Sequence, residues 1–224
     1  MHPLDNPIWE SLVSRHARFA RGAGTARRFD PEVSVLAGFS GEAEEGLAAL
    51  AELTAPGETV GVFMRRAPKA APGWTLVRGG ELLQMVRAQG EFPECARELV
   101  ELGAGDAQDM LALAELAKPG PFSMRTRELG LYLGVREGGR LAAMSGERLK
   151  IPGWTEISAV CSHPEHLGRG HAAALMSEVG RRIVARGERP FLHVLPANAR
   201  ALALYERLGF RTRTAFRYAL LRRD

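Results

Sequence analysis

The chain has 224 residues, 46% of them hydrophobic and 25% charged, with a formal net charge of +4 at pH 7, a balance that buries a core and excludes global disorder. No run of about 18 apolar residues could span a bilayer, and the start MHPLDNPIWE lacks the basic-then-apolar layout of a signal peptide, so a cytoplasmic protein is expected. The arginines are dispersed among acidic residues, which argues against nucleic acid as the partner, and Cys95 and Cys161 share no ligand spacing, so neither a disulfide framework nor a metal site is expected.

In chain order, residues 8–19 read as a first helix. Ser40 can cap a second, in which Ala43, Leu47, Leu50 and Leu53 recur at helical spacing, and Glu42, Glu44 and Glu45 sit where the helix dipole favours acids. Pro56-Gly57 stops it. Apolar runs at 59–64, 74–77 and 81–86, separated by Gly and Pro, read as strands. Residues 97–102 read as another, closed by Gly103-Ala104-Gly105-Asp106, which caps a helix carrying Met110, Leu111, Leu113 and Leu116 and ending at Pro119-Gly120-Pro121. Residues 129–135 and 140–146 flank Arg136-Glu137-Gly138-Gly139, a hairpin signal because glycine supplies the positive φ of tight turns.

A strand at 156–162, a helix at 172–185 ended by Gly187, a strand at 191–195, a helix at 198–208 stopped by Gly209 and a last strand at 210–221 complete the chain. This order implies a mixed sheet with helices on both faces, an α/β architecture. Residues 1–95 are expected to form an N-terminal α/β region and 96–224 a second domain.

The segment Gly168-Arg169-Gly170-His171-Ala172-Ala173 lies between a strand and a helix N-terminus, where unpaired backbone N–H groups and the helix dipole favour a phosphate. A nucleoside-triphosphate loop is excluded, since Gly170 is not followed by Lys-Ser/Thr. A dinucleotide loop matches G-x-G-x-x-A formally. Against it, His163-Pro164-Glu165-His166-Leu167 separates the strand from the first glycine, the next strand ends in Pro196-Ala197-Asn198 rather than an acid, and too little chain remains.

The run from Val160 to Ala172, together with Asn198-x-x-Ala201-x-x-Leu204-Tyr205-x-x-x-Gly209-Phe210, resembles the GNAT superfamily of acyl-CoA N-acyltransferases over residues 96–224. The resemblance implies a mixed, mostly antiparallel central sheet and acetyl-CoA as acyl donor. It implies that Leu167, Gly168, Arg169, Gly170, His171 and Ala172 fill the pyrophosphate loop pattern Q/R-x-x-G-x-G/A, with leucine where the family has arginine or glutamine, and that Arg169 adds charge near the phosphates. It also implies that the backbone at Val160, Cys161 and Ser162 pairs with the pantetheine arm, that Asn198 contacts coenzyme A, and that Tyr205 protonates the leaving thiolate. A phenol is chemically suited to that task. Cys161 itself reads as packing rather than nucleophile.

Glu156 shares a strand face with Ser158 and Val160 and is the candidate base. Arg125, Phe122 and Glu147 are candidates for the acceptor side, while His163 and His166 read as loop surface without metal-ligand geometry. The expected activity is acetyl transfer to a small-molecule primary amine, without nucleic acid, membrane or metal. A non-catalytic acyl-CoA-binding or regulatory module is the alternative. Residues 1–95 lack a glycine loop of their own and are expected to act as a degenerate sister half that shapes the acceptor site or makes a homodimer contact.

Overall fold

The computed structural model describes residues 2–66, 68, 71–87, 90–94 and 97–224, so Cys95 lies outside the described residues. Helix α1 spans Pro7–Val13, with proline at a first-turn position where its missing N–H costs nothing. It stops short of the expected residue 19. The Ser14 hydroxyl donates back to the Glu10 carbonyl, and the chain turns to bury His16 between Ser11 Oγ at 2.9 Å and the Leu129 carbonyl at 3.0 Å. Strands β1 (Ala20–Arg21), β2 (Ala26–Phe29) and β3 (Ala37–Phe39) then form a small antiparallel sheet. Helix α2 (Ala43–Glu52) has Glu42 at its N-cap position, with no side-chain cap hydrogen bond, rather than Ser40, whose hydroxyl donates to the Thr25 carbonyl at 3.5 Å.

Strand β4 occupies Thr59–Met64 as expected. The next two runs merge into one 14-residue strand, β5 (Trp74–Arg87). Gly79 and Gly80, read as punctuation, lie inside it because Ala219 and Tyr218 pair with them across the sheet. The strand expected at 97–102 shrinks to β6 (Val100–Glu101), the two residues that pair with the following hairpin.

Helix α3 (Ala107–Ala117) leads to β7 (Tyr132–Glu137) and β8 (Arg140–Ile151), joined by Gly138 and Gly139 at φ of 56° and 81°, the two left-handed positions of a tight hairpin turn. Strand β9 (Trp154–Ser162), α4 (His171–Ala185), β10 (Arg189–Val194), α5 (Ala199–Arg207) and β11 (Phe210–Arg223) follow.

The main sheet has eight strands in the order β4-β11-β5-β10-β9-β8-β7-β6. The β9–β10 pair is parallel and its other pairs are antiparallel. The boundary expected after residue 95 runs through this sheet, since β4 and β5 precede it and pair with β10 and β11, which follow it.

Alternation along β10 distributes the core. Leu192 packs with Leu175, Val179 and Ile183 of α4, while its neighbour Phe191 packs on the other face with Ile8 and Leu12 of α1. On that second face Met110 and Leu113 of α3 cover Tyr132 and Met144. Phe191 and Leu192 are 0% and 1% exposed, and each contributes roughly 2 kcal/mol by leaving water. Among the described residues no helix is long and apolar enough to cross a membrane.

Candidate active site

Strands β9 and β10 pair only from Trp154 to Glu156 against Arg189 to Phe191 and then part. Within the diverging stretch, Ser145 of β8 faces both Ala159 and Val160 of β9, because the register jumps from Met144↔Cys161 to Gly146↔Ser158. Ala159 carries the extra residue in the left-handed region, φ 52°. A non-glycine residue there costs roughly 1–3 kcal/mol, so the bulge is held by its surroundings, and it turns the free edge of β9 outward. The gap is a cavity of about 620 Å³ whose walls include residues 157–162 of β9 and 193–195 at the end of β10.

The glycine loop closes one end. Gly168 and Gly170 have φ of 83° and 80°, conformations that admit glycine without strain. Helix α4 starts directly after Gly170 with no side-chain cap and no acidic residue in its first turn, so its first N–H groups remain available to an anion. Leu167 is 50% exposed and lines the cavity. Arg169 is tied to the Glu137 carboxylate at 2.6 Å. His166 and His171 also reach Glu137, and ligand atoms of the three lie within 4.8 Å of one another. This corrects the reading of His166 as loop surface without metal-ligand geometry: the hairpin turn after β7 brings in the carboxylate, which sequence spacing around the histidines does not reveal.

Helix α5 supplies a side wall. Asn198 lines the cavity, and its Oδ1 caps the helix by accepting from the Ala201 N–H at 3.1 Å, which leaves its amide NH₂ for other contacts. Tyr205, two turns further, lines the same cavity. Burial is the first cause that pushes its pKa up to about 12, so the phenol stays protonated at neutral pH. Cys161 is a free, buried cysteine whose pKa burial raises to about 12. A neutral thiol is a poor nucleophile, in keeping with a packing role.

At the opposite end Glu156 is fully buried, and its carboxylate is saturated. Oε2 accepts from Arg148 Nε at 2.9 Å and from the Leu149 N–H at 3.3 Å, while Oε1 accepts from Arg148 Nη2 at 2.6 Å and meets His193 Nδ1 at 2.7 Å. Burial alone would raise its pKa. The Arg148 charge and its hydrogen bonds prevail and hold it at about 2. A carboxylate so held takes up a proton poorly.

His193 faces the cavity, and its Nε2 lies 3.2 Å from the Gln84 amide nitrogen. Gln84 is oriented by Arg213 Nη1, which donates to its Oε1, and by the Leu4 carbonyl, which accepts from its Nε2. The amide NH₂ therefore donates to His193 Nε2, which leaves the ring proton on Nδ1 toward Glu156. Burial lowers the His193 pKa.

Phe63, Arg78, Leu82 and Tyr218 complete this end. Arg125, Phe122 and Glu147 are not among the residues that line it. Arg125 joins a surface network with Glu32 and Glu128, Phe122 packs edge-on to Tyr132, and buried Glu147 pairs with Lys150 and Arg186. Sequence reading missed His193, Arg148, Gln84 and Phe63. His193 left one signal, a polar residue inside the apolar run Phe191-Leu192-His193-Val194.

A family model described as FR47-like protein matches residues 132–219, which span the fork, the glycine loop and α5. A protein from Novosphingobium aromaticivorans DSM 12444, described as a candidate acetyltransferase of the GNAT family, is 39% identical over 100% of both chains, with a TM-score of 0.92. A GCN5-related N-acetyltransferase from Kribbella flavida superposes with a TM-score of 0.62 at 17% identity over 97% of this chain and 95% of its own. A Drosophila protein does so with 0.63 at 16% over 90% and 76%. These last two likenesses concern the fold alone. No curated protein matches significantly.

Proposed function

The chain belongs to the GNAT family of acyl-CoA N-acyltransferases, and from that premise we propose that it moves an acetyl group from acetyl-CoA to a primary amine by direct transfer in a ternary complex. The observation that carries this reading is a single cavity, opened by the fork of β9 and β10, that takes in the glycine loop, Tyr205 and His193.

In this reading the N–H groups of 168–172 hold the pyrophosphate, and the free edge of β9 at Val160, Cys161 and Ser162 pairs with the pantetheine arm beside Asn198. The amine nitrogen attacks the thioester carbon, the C–S bond breaks, and the thiolate leaves. Tyr205 donates a hydrogen bond to that sulfur. With its pKa at about 12, against about 8.5 for an ordinary thiol, the phenol stabilises developing charge and keeps most of its proton. The proton released by the amine leaves to solvent through the open cavity, because the one lone pair of His193 Nε2 already accepts from Gln84. Glu156, expected as the base, serves as the positioning residue that fixes the tautomer and orientation of the His193 ring.

Titration calorimetry with acetyl-CoA, followed by a mass-spectrometric amine screen that also reads free thiol release, tests the proposal. Tyr205→Phe is expected to lower turnover by about a hundredfold with acetyl-CoA affinity little changed. The non-catalytic module is the second reading, favoured by Leu167 at the family's Arg/Gln position. Acetyl-CoA binding without thiol release across a broad amine panel would select it.

A further inference from the structure

At the loop end, three metal-ligating side chains converge from separate elements. Glu137 ends β7, His166 ends the 3-10 turn Pro164–His166, and His171 opens α4. Glu137 Oε1 is 3.0 Å from His171 Nε2, and Glu137 Oε2 is 3.0 Å from His166 Nδ1. His166 Nδ1 and both ring nitrogens of His171 are buried, and apart from these two contacts none of the three has a hydrogen-bond partner. The His171 side chain is 0% exposed. A buried polar atom left unpaired costs about 1–3 kcal/mol, and here two buried imidazole nitrogens share one carboxylate with Arg169, which leaves a place for a further partner.

We propose that Glu137, His166 and His171 bind a divalent transition-metal ion of the zinc type, with a fourth position open to the cavity. Tetrahedral zinc with bonds of about 2.0–2.2 Å sets neighbouring ligand atoms about 3.3 Å apart, and here one ligand atom from each of the three side chains lies within 4.8 Å of the others. Two imidazoles and a carboxylate suit zinc, whereas magnesium and calcium take oxygen ligands. His166 and His171 line the cavity, so the fourth position admits water or an anionic group. Arg169 competes for the same carboxylate, but its side chain is 52% exposed and is free to turn outward when a doubly charged ion takes its place. The overlapping group His163, Glu165 and His166 is the weaker candidate, because its carboxylate is 75% exposed.

The proposal does not depend on acyl transfer, and its test needs neither donor nor acceptor. The chain is stripped with a chelator, dialysed, and titrated with zinc chloride alone by calorimetry and by competition with a chromogenic chelator. One ion per chain at micromolar affinity or tighter is expected, and Co²⁺ in its place should give the intense visible bands of a four-coordinate site. Glu137→Ala, at the partly exposed hairpin end, should weaken zinc binding by more than about tenfold. His163→Gln should leave it unchanged. Circular dichroism of each variant separates lost binding from lost folding, and His171→Gln provides a second ligand deletion. Zinc binding no tighter than millimolar, or unaltered binding in folded Glu137→Ala and His171→Gln, overturns the proposal.

Discussion

The two ends of the cavity are built differently. The backbone of the glycine-loop end is made by neighbours in sequence: the strand edge, loop and helix start at 157–172 form one continuous stretch, and α5 follows within the same third of the chain. The His193 end is made by long-range pairing, with Gln84 meeting His193 across 109 positions and Arg213 meeting Gln84 across 129. A compact local motif therefore determines how a phosphorylated donor would be held. The surface that the proposed function would offer to an acceptor depends on strands that register against each other from opposite ends of the chain, and it can change while the motif stays intact.

The largest expected effect lies at the long-range end. Glu156→Gln leaves the Arg148 guanidinium, 14% exposed, without its counter-charge, and should cost about 3–5 kcal/mol in denaturant melts. The same pair gives a pH signature. Because the folded pKa of Glu156 is about 2 against an ordinary 4.5, its stabilisation is complete above pH 4.5 and is lost as pH falls through 2, an effect on the order of 3 kcal/mol. The stability gap between parent and variant should narrow across that window. A loss under about 1 kcal/mol at neutral pH would show that the two ends are not distinct in this way.

A smaller effect is expected at the loop. Aspartate tolerates the left-handed conformation, so Gly170→Asp should fold, while its carboxylate occupies the anion position and lowers acetyl-CoA affinity about a hundredfold by calorimetry. Unchanged affinity would detach the loop from the donor. The smallest effect is Leu167→Arg, which restores the family's basic residue on an exposed position and should tighten acetyl-CoA binding up to about fivefold. A weaker complex would mean that leucine itself packs on the donor.

The loop end was legible in sequence because its chemistry is written in backbone: two glycines, an uncapped helix start and the i, i+7 spacing of Asn198 and Tyr205 need no distant partner. The position of Glu156 was legible too, but its partners were not. Nothing near Glu156 in sequence announces His193 beside it, and Arg148 faces it only because β8 and β9 form a hairpin. Apolar punctuation found β4 with its full bounds and split β5 in two, since Gly79 and Gly80 look like a break until β11 runs past them. Sheet order lies beyond periodicity altogether, because alternation names a face and not a neighbour.

Strand β11 lies between β4 and β5, and in the main sheet β4 pairs with β11 alone. During synthesis the two early strands therefore leave the ribosome with the place between them vacant, and the last strand to emerge must insert there. Non-local pairing of this kind is slow and leaves unpaired edges exposed while it waits. The wall that carries Phe63 and Tyr218 is complete only when β11 is in place beside β4, and a nascent chain halted before residue 210 would hold the glycine loop without Tyr218.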